Sequence, residues 1–461
     1  MILERHYLAC LSQASYLIAD ESTRTAVVID PRRDVDVYLD SAAAHGVTIR
    51  HVLLTHFHAD FVSGHLELAK RTGAAIHLGA AAAPDFEHVA MADGDRLELG
   101  RLRITALATP GHTPESTTYL LFDLDADPEQ PHAAFTGDTL FIGDVGRPDL
   151  MASVGITKEE LAQALYRSTR EKLLTLPDST LVYPGHGAGS MCGKSLSDAE
   201  VSTIGAERSG NPALRELSSS EFVAEITSGQ PQAPAYFAHD AAMNKRERAT
   251  LDEVIDRASR PLAVEAVERA LASGVQLVDT RGPEAFAARH VAGSIGIGLD
   301  GKFATFAGTV LDLERDIVVL AEKGREREAL VRLARVGLDR LLGYVGDTET
   351  LFATQATRSV ERVDERILSE VGSEAGPRHV LDVRTPGEWA DGHLPEAIHV
   401  PLAELERRMD EVPSSGRLLV TCRSGYRSSI ALGILERAGR EDLVELAGGM
   451  NSVPADDCVA G

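Results

Sequence analysis

Two stretches of the chain read as copies of one another, and this repeat constrains the fold more than any single segment does. Gln276-Leu277-Val278-Asp279-Thr280-Arg281 aligns with His379-Val380-Leu381-Asp382-Val383-Arg384. Phe286 and His290 stand 7 and 11 positions beyond Asp279, and Trp389 and His393 stand 7 and 11 beyond Asp382. Both copies then enter a short apolar run, Gly293-Ser294-Ile295 and Glu396-Ala397-Ile398, and later a second one, Ile317–Leu320 and Leu418–Thr421. Agreement in several features over about 100 residues marks two homologous domains. Short apolar runs that end at polar residues and alternate with helical patterns predict α/β units with buried strands. We expect domains at 250–355 and 360–461 behind a first at 1–240. The weak pattern between 205 and 260 predicts loops and short helices.

The first domain has the rhythm of a layered α/β fold. Thr25–Asp30, His51–Thr55 and Leu181–His186 are apolar runs ending in polar turns, and Gly94–Ala108 reads as a turn with an alternating strand. Four turns carry metal-ligand side chains: Thr55-His56-Phe57-His58-Ala59-Asp60-Phe61, Pro110-Gly111-His112-Thr113, Thr136-Gly137-Asp138-Thr139 and Pro184-Gly185-His186-Gly187. A lone histidine is usually a hydrogen-bonded structural residue. Four such turns in this order point to a metal, because buried Asp and His are costly without a partner.

This order of turns resembles the metallo-β-lactamase superfamily over roughly residues 1 to 240, most closely its glyoxalase II and persulfide dioxygenase branch. The resemblance implies an αββα sandwich. The family motif HxHxDH reads here His56-x-His58-x-Asp60-Phe61, with phenylalanine in place of the last histidine. Phenylalanine cannot coordinate, so a two-metal hydrolytic centre loses a ligand. The resemblance to the dioxygenases implies one Fe(II) per chain on His56, His112 and Asp138. Two imidazoles and one carboxylate form the facial triad of non-heme iron oxygenases, which leaves positions open for substrate and oxygen. His58 and His186 are then residues behind the ligands or extra ligands, and Asp60 a catalytic group that moves protons. Arg147, in Gly146-Arg147-Pro148, is expected to bind an anionic thiol cosubstrate.

The last repeat contains Thr421-Cys422-Arg423-Ser424-Gly425-Tyr426-Arg427-Ser428. A cysteine at a strand end, followed by a glycine loop and a helix start, can have its thiolate cradled by backbone amides, with Arg423 and Arg427 nearby. The same amides, with Gly425 at the turn, can hold an oxyanion. With Asp382-Val383-Arg384, Glu388-Trp389, Gly392-His393-Leu394 and Gly448-Gly449-Met450, this resembles a rhodanese. Aligning Gly324 with Gly425 sets Ala321 where Cys422 stands, so the first copy should lack sulfurtransfer and serve to pack domains or build an oligomer interface.

The resemblance therefore implies oxidation of a low-molecular-weight thiol persulfide by O2 to sulfite and thiol, coupled to sulfur transfer at Cys422 that gives thiosulfate. The alternatives are a glyoxalase II-like thioester hydrolase with an appended sulfurtransferase, and a sulfur-relay protein with a structural metal. The family suggests a homo-oligomer, dimer or tetramer. A net charge of −24 excludes nucleic acid as a natural partner. No run of about 18 apolar residues spans a membrane, and the N-terminus shows no signal-peptide pattern, so the cytoplasm is expected. Cys10, Cys192, Cys422 and Cys458 show no CxxC spacing, which argues against a zinc-thiolate site or a disulfide framework. Cys192, flanked by glycine and lysine, reads as partly exposed yet more structural than reactive.

Overall fold

Thr25–Ile29 carries apolar side chains at every position after the first, and a strand of that kind must be covered on both faces. A computed structural model describing residues 1–150, 155–230, 232–373 and 376–459 shows how. Strands β1 (Ile2–Leu8), β2 (Gln13–Asp20), β3 (Thr25–Ile29), β4 (Thr48–Leu53), β5 (Ala75–Gly79) and β6 (Val89–Met91) join in chain order into a six-stranded sheet. Strands β7 (Arg96–Leu99), β8 (Leu102–Ala108), β9 (Thr117–Asp123), β10 (Ala133–Gly137), β11 (Leu181–Pro184) and β12 (Ser202–Thr203) form a second, ordered β12-β11-β10-β9-β8-β7. Tyr16, Ile18, Val27 and Ile29 of the first sheet pack with Ile104, Tyr119, Leu121 and Phe135 of the second. The alternate residues Leu17, Ala19, Ala26 and Val28 point the other way, onto Tyr38 and Ala42 of helix Asp36–His45 and Leu68 of helix His65–Thr72. On the far side, Val182 packs with Leu165 of helix Lys158–Arg167 and with Phe222 and Ile226 of helix Ser219–Thr227. Each large apolar side chain so buried contributes about 1.5–3 kcal/mol. The result is the expected helix–sheet–sheet–helix sandwich.

This sandwich is the first of two compact units, Met1–Asp252 with Ala334–Gly337. Within it β3 and β4 run parallel, as do β10 and β11, and β8 shares the direction of β10 through the antiparallel β9 between them. The turns that leave the C-terminal ends of these five strands carry Asp30, Thr55–Asp60, Thr109–Ser116, Asp138 and His186. That is where open α/β sheets bring functional groups together.

The second unit, Glu253–Leu333 with Leu338–Gly461, holds the repeat. Its first copy uses β13 (Pro261–Leu262), β14 (Gln276–Asp279), β16 (Ile295–Gly296), β17 (Ile317–Leu320) and β18 (Leu341–Val345). They form a parallel sheet ordered β13-β18-β17-β14-β16, with β15 (His290–Val291) paired to β19 (Thr357–Arg358) beside it. The second copy uses β20 (Glu361–Val363), β21 (His379–Asp382), β22 (Ile398–His399), β23 (Leu418–Thr421) and β24 (Leu443–Leu446), ordered β20-β24-β23-β21-β22, the same topology. The repeated residues do the same work in each. Arg281 pairs with Asp279 and Arg384 with Asp382, both at 2.6 Å. Each arginine also donates to the carbonyl of the equivalent residue, Arg289 at 2.7 Å and Gly392 at 2.8 Å. Phe286 stacks on His290 with ring centroids 4.0 Å apart, and Trp389 on His393 at 3.6 Å.

The stretch from 205 to 260 is more helical than its pattern suggests, with helices Ile204–Gly210, Ser219–Thr227, Tyr236–Lys245 and Leu251–Ala258. Ser218 and Glu221 form a capping box that starts one of them. Pro231, within this stretch, and the last two residues of the expected third domain lie outside the described residues. No helix among the described residues is long and apolar enough to cross a membrane.

Candidate functional site

His56, His112 and Asp138 converge from three turns, with one ligand atom from each lying within 4.8 Å of the others. His56 Nε2 and His112 Nε2 stand 3.9 and 3.6 Å from Asp138 Oδ2, and all three residues are buried. Hydrogen bonds fix both rings. His112 Nδ1 meets the carbonyl of Arg147 at 2.8 Å. A carbonyl only accepts, so Nδ1 carries the proton and Nε2 keeps a lone pair. His56 Nδ1 meets Thr55 Oγ1 at 2.9 Å, and that hydroxyl donates to Asp30 Oδ2 at 2.7 Å. His56 Nδ1 is therefore also the donor, and its Nε2 lone pair faces the same point as that of His112. Burial, with His58 close by, lowers the His56 pKa well below the ordinary imidazole value, and burial lowers His112 too, so both rings are neutral. Burial pushes the Asp138 carboxyl up, but the charge of His186 and its hydrogen bond outweigh it and hold the carboxyl well below the usual carboxylate range. Two neutral imidazoles and an ionised carboxylate, with their second hydrogen bonds already made, are a donor set fit for a divalent transition metal. Gly137, at φ +51°, makes the turn that delivers Asp138, and a side chain on it would strike that of Thr55.

Beside this triad Asp60, His186 and Cys192 form a second group, also within 4.8 Å of one another. His186 Nδ1 donates to Asp138 Oδ1 at 2.9 Å, and its Nε2 lies 2.9 Å from Asp60 Oδ2. Burial alone would lower the His186 pKa, but the two flanking carboxylates raise it well above the ordinary value, so the ring is an imidazolium bridging Asp60 and Asp138. Cys192 is 1% exposed, and burial, reinforced by Asp60 and Asp138, keeps its thiol protonated. Phe61 is buried with its ring 4.4 Å from His58 and 6.4 Å from His186, and contributes no donor.

In the second unit, Cys422 follows β23 and is buried. The Gly425 amide points at its Sγ from 3.2 Å, and Ser428 Oγ lies 3.6 Å away. Gly425 adopts φ +97°, a left-handed conformation that turns its amide back toward the sulfur before helix Tyr426–Arg437 begins. The loop is held from below by Met450 N–H on the Cys422 carbonyl (2.7 Å) and Asn451 N–H on that of Arg423 (3.0 Å). Arg427 forms a two-pronged pair with Glu388 at 2.6 and 2.7 Å, whereas Arg423 is exposed. In the first copy Gly324 has nearly the same φ, +90°, but its amide is taken by the Glu326 carboxylate at 2.8 Å. The position of the sulfur is lost to alanine, and an internal anion fills the cradle.

Comparison with known proteins agrees with this division. The Metallo-beta-lactamase superfamily description matches residues 8–186, and the Rhodanese-like domain description matches 263–349 and 369–455. The chain is 33% identical over 217 residues to the mitochondrial persulfide dioxygenase ETHE1 of Bos taurus, covering 45% of this chain and 74% of that one. It is 32% identical over 260 residues to a probable metallo-hydrolase of Burkholderia pseudomallei (strain 1710b), covering 49% and 85%. A crystal structure of a metallo-beta-lactamase from Staphylococcus aureus subsp. aureus COL matches 75% of this chain and 98% of its own, with a TM-score of 0.67 at 32% identity. The chain belongs to the metallo-β-lactamase superfamily. It carries two rhodanese-like domains in its C-terminal half.

In this metallo-β-lactamase domain the structure brings His56, His112 and Asp138 together, with Asp60 and His186 alongside, but His58 turns away. Its ring lies tilted against that of His56, centroids 4.2 Å apart, and its Nε2 faces Asp30 Oδ1 at 3.1 Å, an ion-pair distance without hydrogen-bond alignment. Arg147 departs from expectation. Its guanidinium is buried and paired twice with Asp149 at 2.7 Å, so its charge is already met inside the protein, and what it offers the site is its carbonyl, which orients His112. Cys192 is buried in the site rather than partly exposed. Asp30 and Thr55 were not singled out in the sequence. The available signal was that Asp30 closes β3, the parallel neighbour of the strand leading to His56. In the second unit the Gly425 amide faces Cys422, while Arg427 is paired with Glu388 and Arg423 is exposed.

Proposed function

We propose that the metallo-β-lactamase domain is an iron-dependent persulfide dioxygenase and that the second rhodanese-like domain is a sulfurtransferase. The convergence of His56, His112 and Asp138, with Phe61 where a further imidazole would serve a second metal, carries this reading. The 33% identical relatives named persulfide dioxygenase support it. Bound to the triad, Fe(II) would supply a redox-active centre at which a persulfide sulfur and O2 meet, and the chain's own residues set the conditions. Thr55 and the Arg147 carbonyl hold the ligand rings in one tautomer. His186, between Asp60 and Asp138, holds a proton at Nε2 facing Asp60, and Asp60 is the group that passes protons to and from the reacting sulfur. The balance is thiol persulfide, O2 and water giving thiol and sulfite with two protons.

At Cys422 the thiolate takes the outer sulfur of a persulfide, displacing the thiol, and sulfite then takes that sulfur to leave as thiosulfate, which restores the thiolate. Splitting the transfer through a cysteine persulfide is nucleophilic catalysis. Having both activities in one chain raises the effective concentration of sulfite for its acceptor.

A second reading, a thioester hydrolase, is favoured by Asp60, His186 and Cys192 as a seat for another metal and by 35% identity over 190 residues to a murine hydroxyacylglutathione hydrolase-like protein. An oxygen electrode separates them. We expect uptake with glutathione persulfide or another small thiol persulfide, lost on His56→Ala or Asp138→Ala. Thioester cleavage without oxygen uptake would support the hydrolase.

A further inference from the structure

The cysteine-less copy, whose own cradle is filled by Glu326, contacts the active loop of the other copy through residues that neither reaction has so far needed. Tyr426 is the first residue of helix Tyr426–Arg437 and follows directly on Gly425, whose amide meets Cys422. Its hydroxyl does not face the sulfur. It donates to the carbonyl of Gly298, in the first copy, at 2.5 Å. Its ring lies 5.5 Å from that of Phe306, and near Gly298 and Gly301, where the absence of side chains leaves it room. The receiving loop is itself fixed. The buried Arg332 guanidinium donates to the carbonyls of Leu299 (2.5 Å) and Gly301 (2.7 Å), just beyond the Gly298 carbonyl that accepts Tyr426. The rest of the helix is held by the same copy. Glu436 meets His290 Nε2 at 2.9 Å, and Gly433 lies so close to Ser294 that a side chain there would strike its carbonyl.

We propose that the degenerate rhodanese-like copy is a positioning device for the active one: Arg332 stiffens the 298–301 loop, Gly298 anchors Tyr426, and Tyr426 fixes where the Gly425 amide stands relative to Cys422. Tyr426 is a positioning residue in this scheme, since it reaches the sulfur only through its neighbour. The physical reason is that an amide at the start of a helix is aimed by the helix, and a small misplacement of such a group is felt strongly at the reacting atom. This inference rests on the reading of Cys422 as the sulfur carrier.

The test uses the full-length chain and thiosulfate with cyanide. The outer sulfur of thiosulfate passes to the Cys422 thiolate with release of sulfite, and cyanide then removes it as thiocyanate. Rates are expressed per alkylatable Cys422. Tyr426→Phe keeps the ring and deletes the hydroxyl. We expect kcat to fall about tenfold with KM for thiosulfate within about twofold, and oxygen uptake per iron to be unchanged. Arg332→Gln, on the other copy, is expected to lower kcat in the same sense, and the double variant to be no worse than the poorer single one, because both act on one loop. Unchanged kcat in Tyr426→Phe, or losses that multiply in the double variant, would overturn the device. Cys422→Ser is the control that separates the two claims. It must abolish transfer, and transfer that survives it would remove the assignment of Cys422 itself, and the device with it.

Discussion

Thr55→Val tests whether the metal site is built from behind. The Thr55 hydroxyl gives its proton to Asp30 Oδ2 at 2.7 Å and accepts that of His56 Nδ1 at 2.9 Å. Valine keeps the shape that Gly137 is packed against and deletes the oxygen. Asp30 retains the backbone amide of residue 55 on Oδ1 at 2.8 Å, so the turn itself survives. Leaving Asp30 Oδ2 and His56 Nδ1 without a partner in a buried site costs about 1–3 kcal/mol of stability. At the metal, losing the hydrogen bond behind a ligating histidine weakens affinity about 10–100-fold, or about 1.4–2.8 kcal/mol. The assay is competition for Fe(II) against a chelator of known affinity, on wild type, Thr55→Val and Thr55→Ser. Serine keeps the hydroxyl and should return affinity to within a few-fold of wild type. Valine binding iron as tightly as wild type would refute the argument that Asp30 and Thr55 set the tautomer of His56.

Three further outcomes are expected. Cys422→Ser should consume oxygen with a persulfide at the wild-type rate and form no thiosulfate, and loss of both would mean the two activities are not separable. In that background, Ala321→Cys should restore no thiosulfate:cyanide transfer, because Glu326 holds the Gly324 amide that the new sulfur would need; thiocyanate production would contradict this. The first unit should lose stability in mild acid. Burial lowers the His65 pKa to about 3, with Arg248 adding to it, and lowers that of His77 to about 4, helped by His51, both from an ordinary 6.5. Between those values and 6.5 the unfolded chain binds more protons than the folded one. The contribution is thus complete above pH 6.5 and lost as pH falls toward 4 and 3. At pH 5 the loss is up to about 2 kcal/mol for each histidine. Denaturant melts at pH 7.5 and pH 5 should show it, and His77→Asn should flatten the difference; equal midpoints for wild type at the two pH values would count against the burial account.

The sequence disclosed most where chemistry sits at fixed offsets. The Asp–Arg pair and the aromatic–His stack of each rhodanese-like copy are local, two and four residues apart, and both recur in each copy. The convergence of His56, His112 and Asp138 was readable because each follows a strand that the sheet must align with its neighbours. Orientation was not readable. His56 and His58 alternate in one loop, and only the packing of Phe61 and Asp30 decides that the second ring turns away. Arg147 looked like an anion clamp from its glycine-rich turn and the family resemblance, yet Asp149 two residues on takes its charge. Cys192 looked exposed from its glycine and lysine neighbours, but burial is a property of the whole fold. The helix Ser219–Thr227 was hidden in the weak pattern between 205 and 260, since a capping box is recognised only if a helix follows, and this helix is short.

The proposed function stands on a single redox-active metal held by His56, His112 and Asp138 that serves oxygen chemistry. Metal content and oxygen uptake measured on the same preparation of the full chain test it most directly. One iron per chain is expected, with oxygen consumption that scales with it when a thiol persulfide is added. Two zinc ions per chain with no oxygen consumed would contradict it.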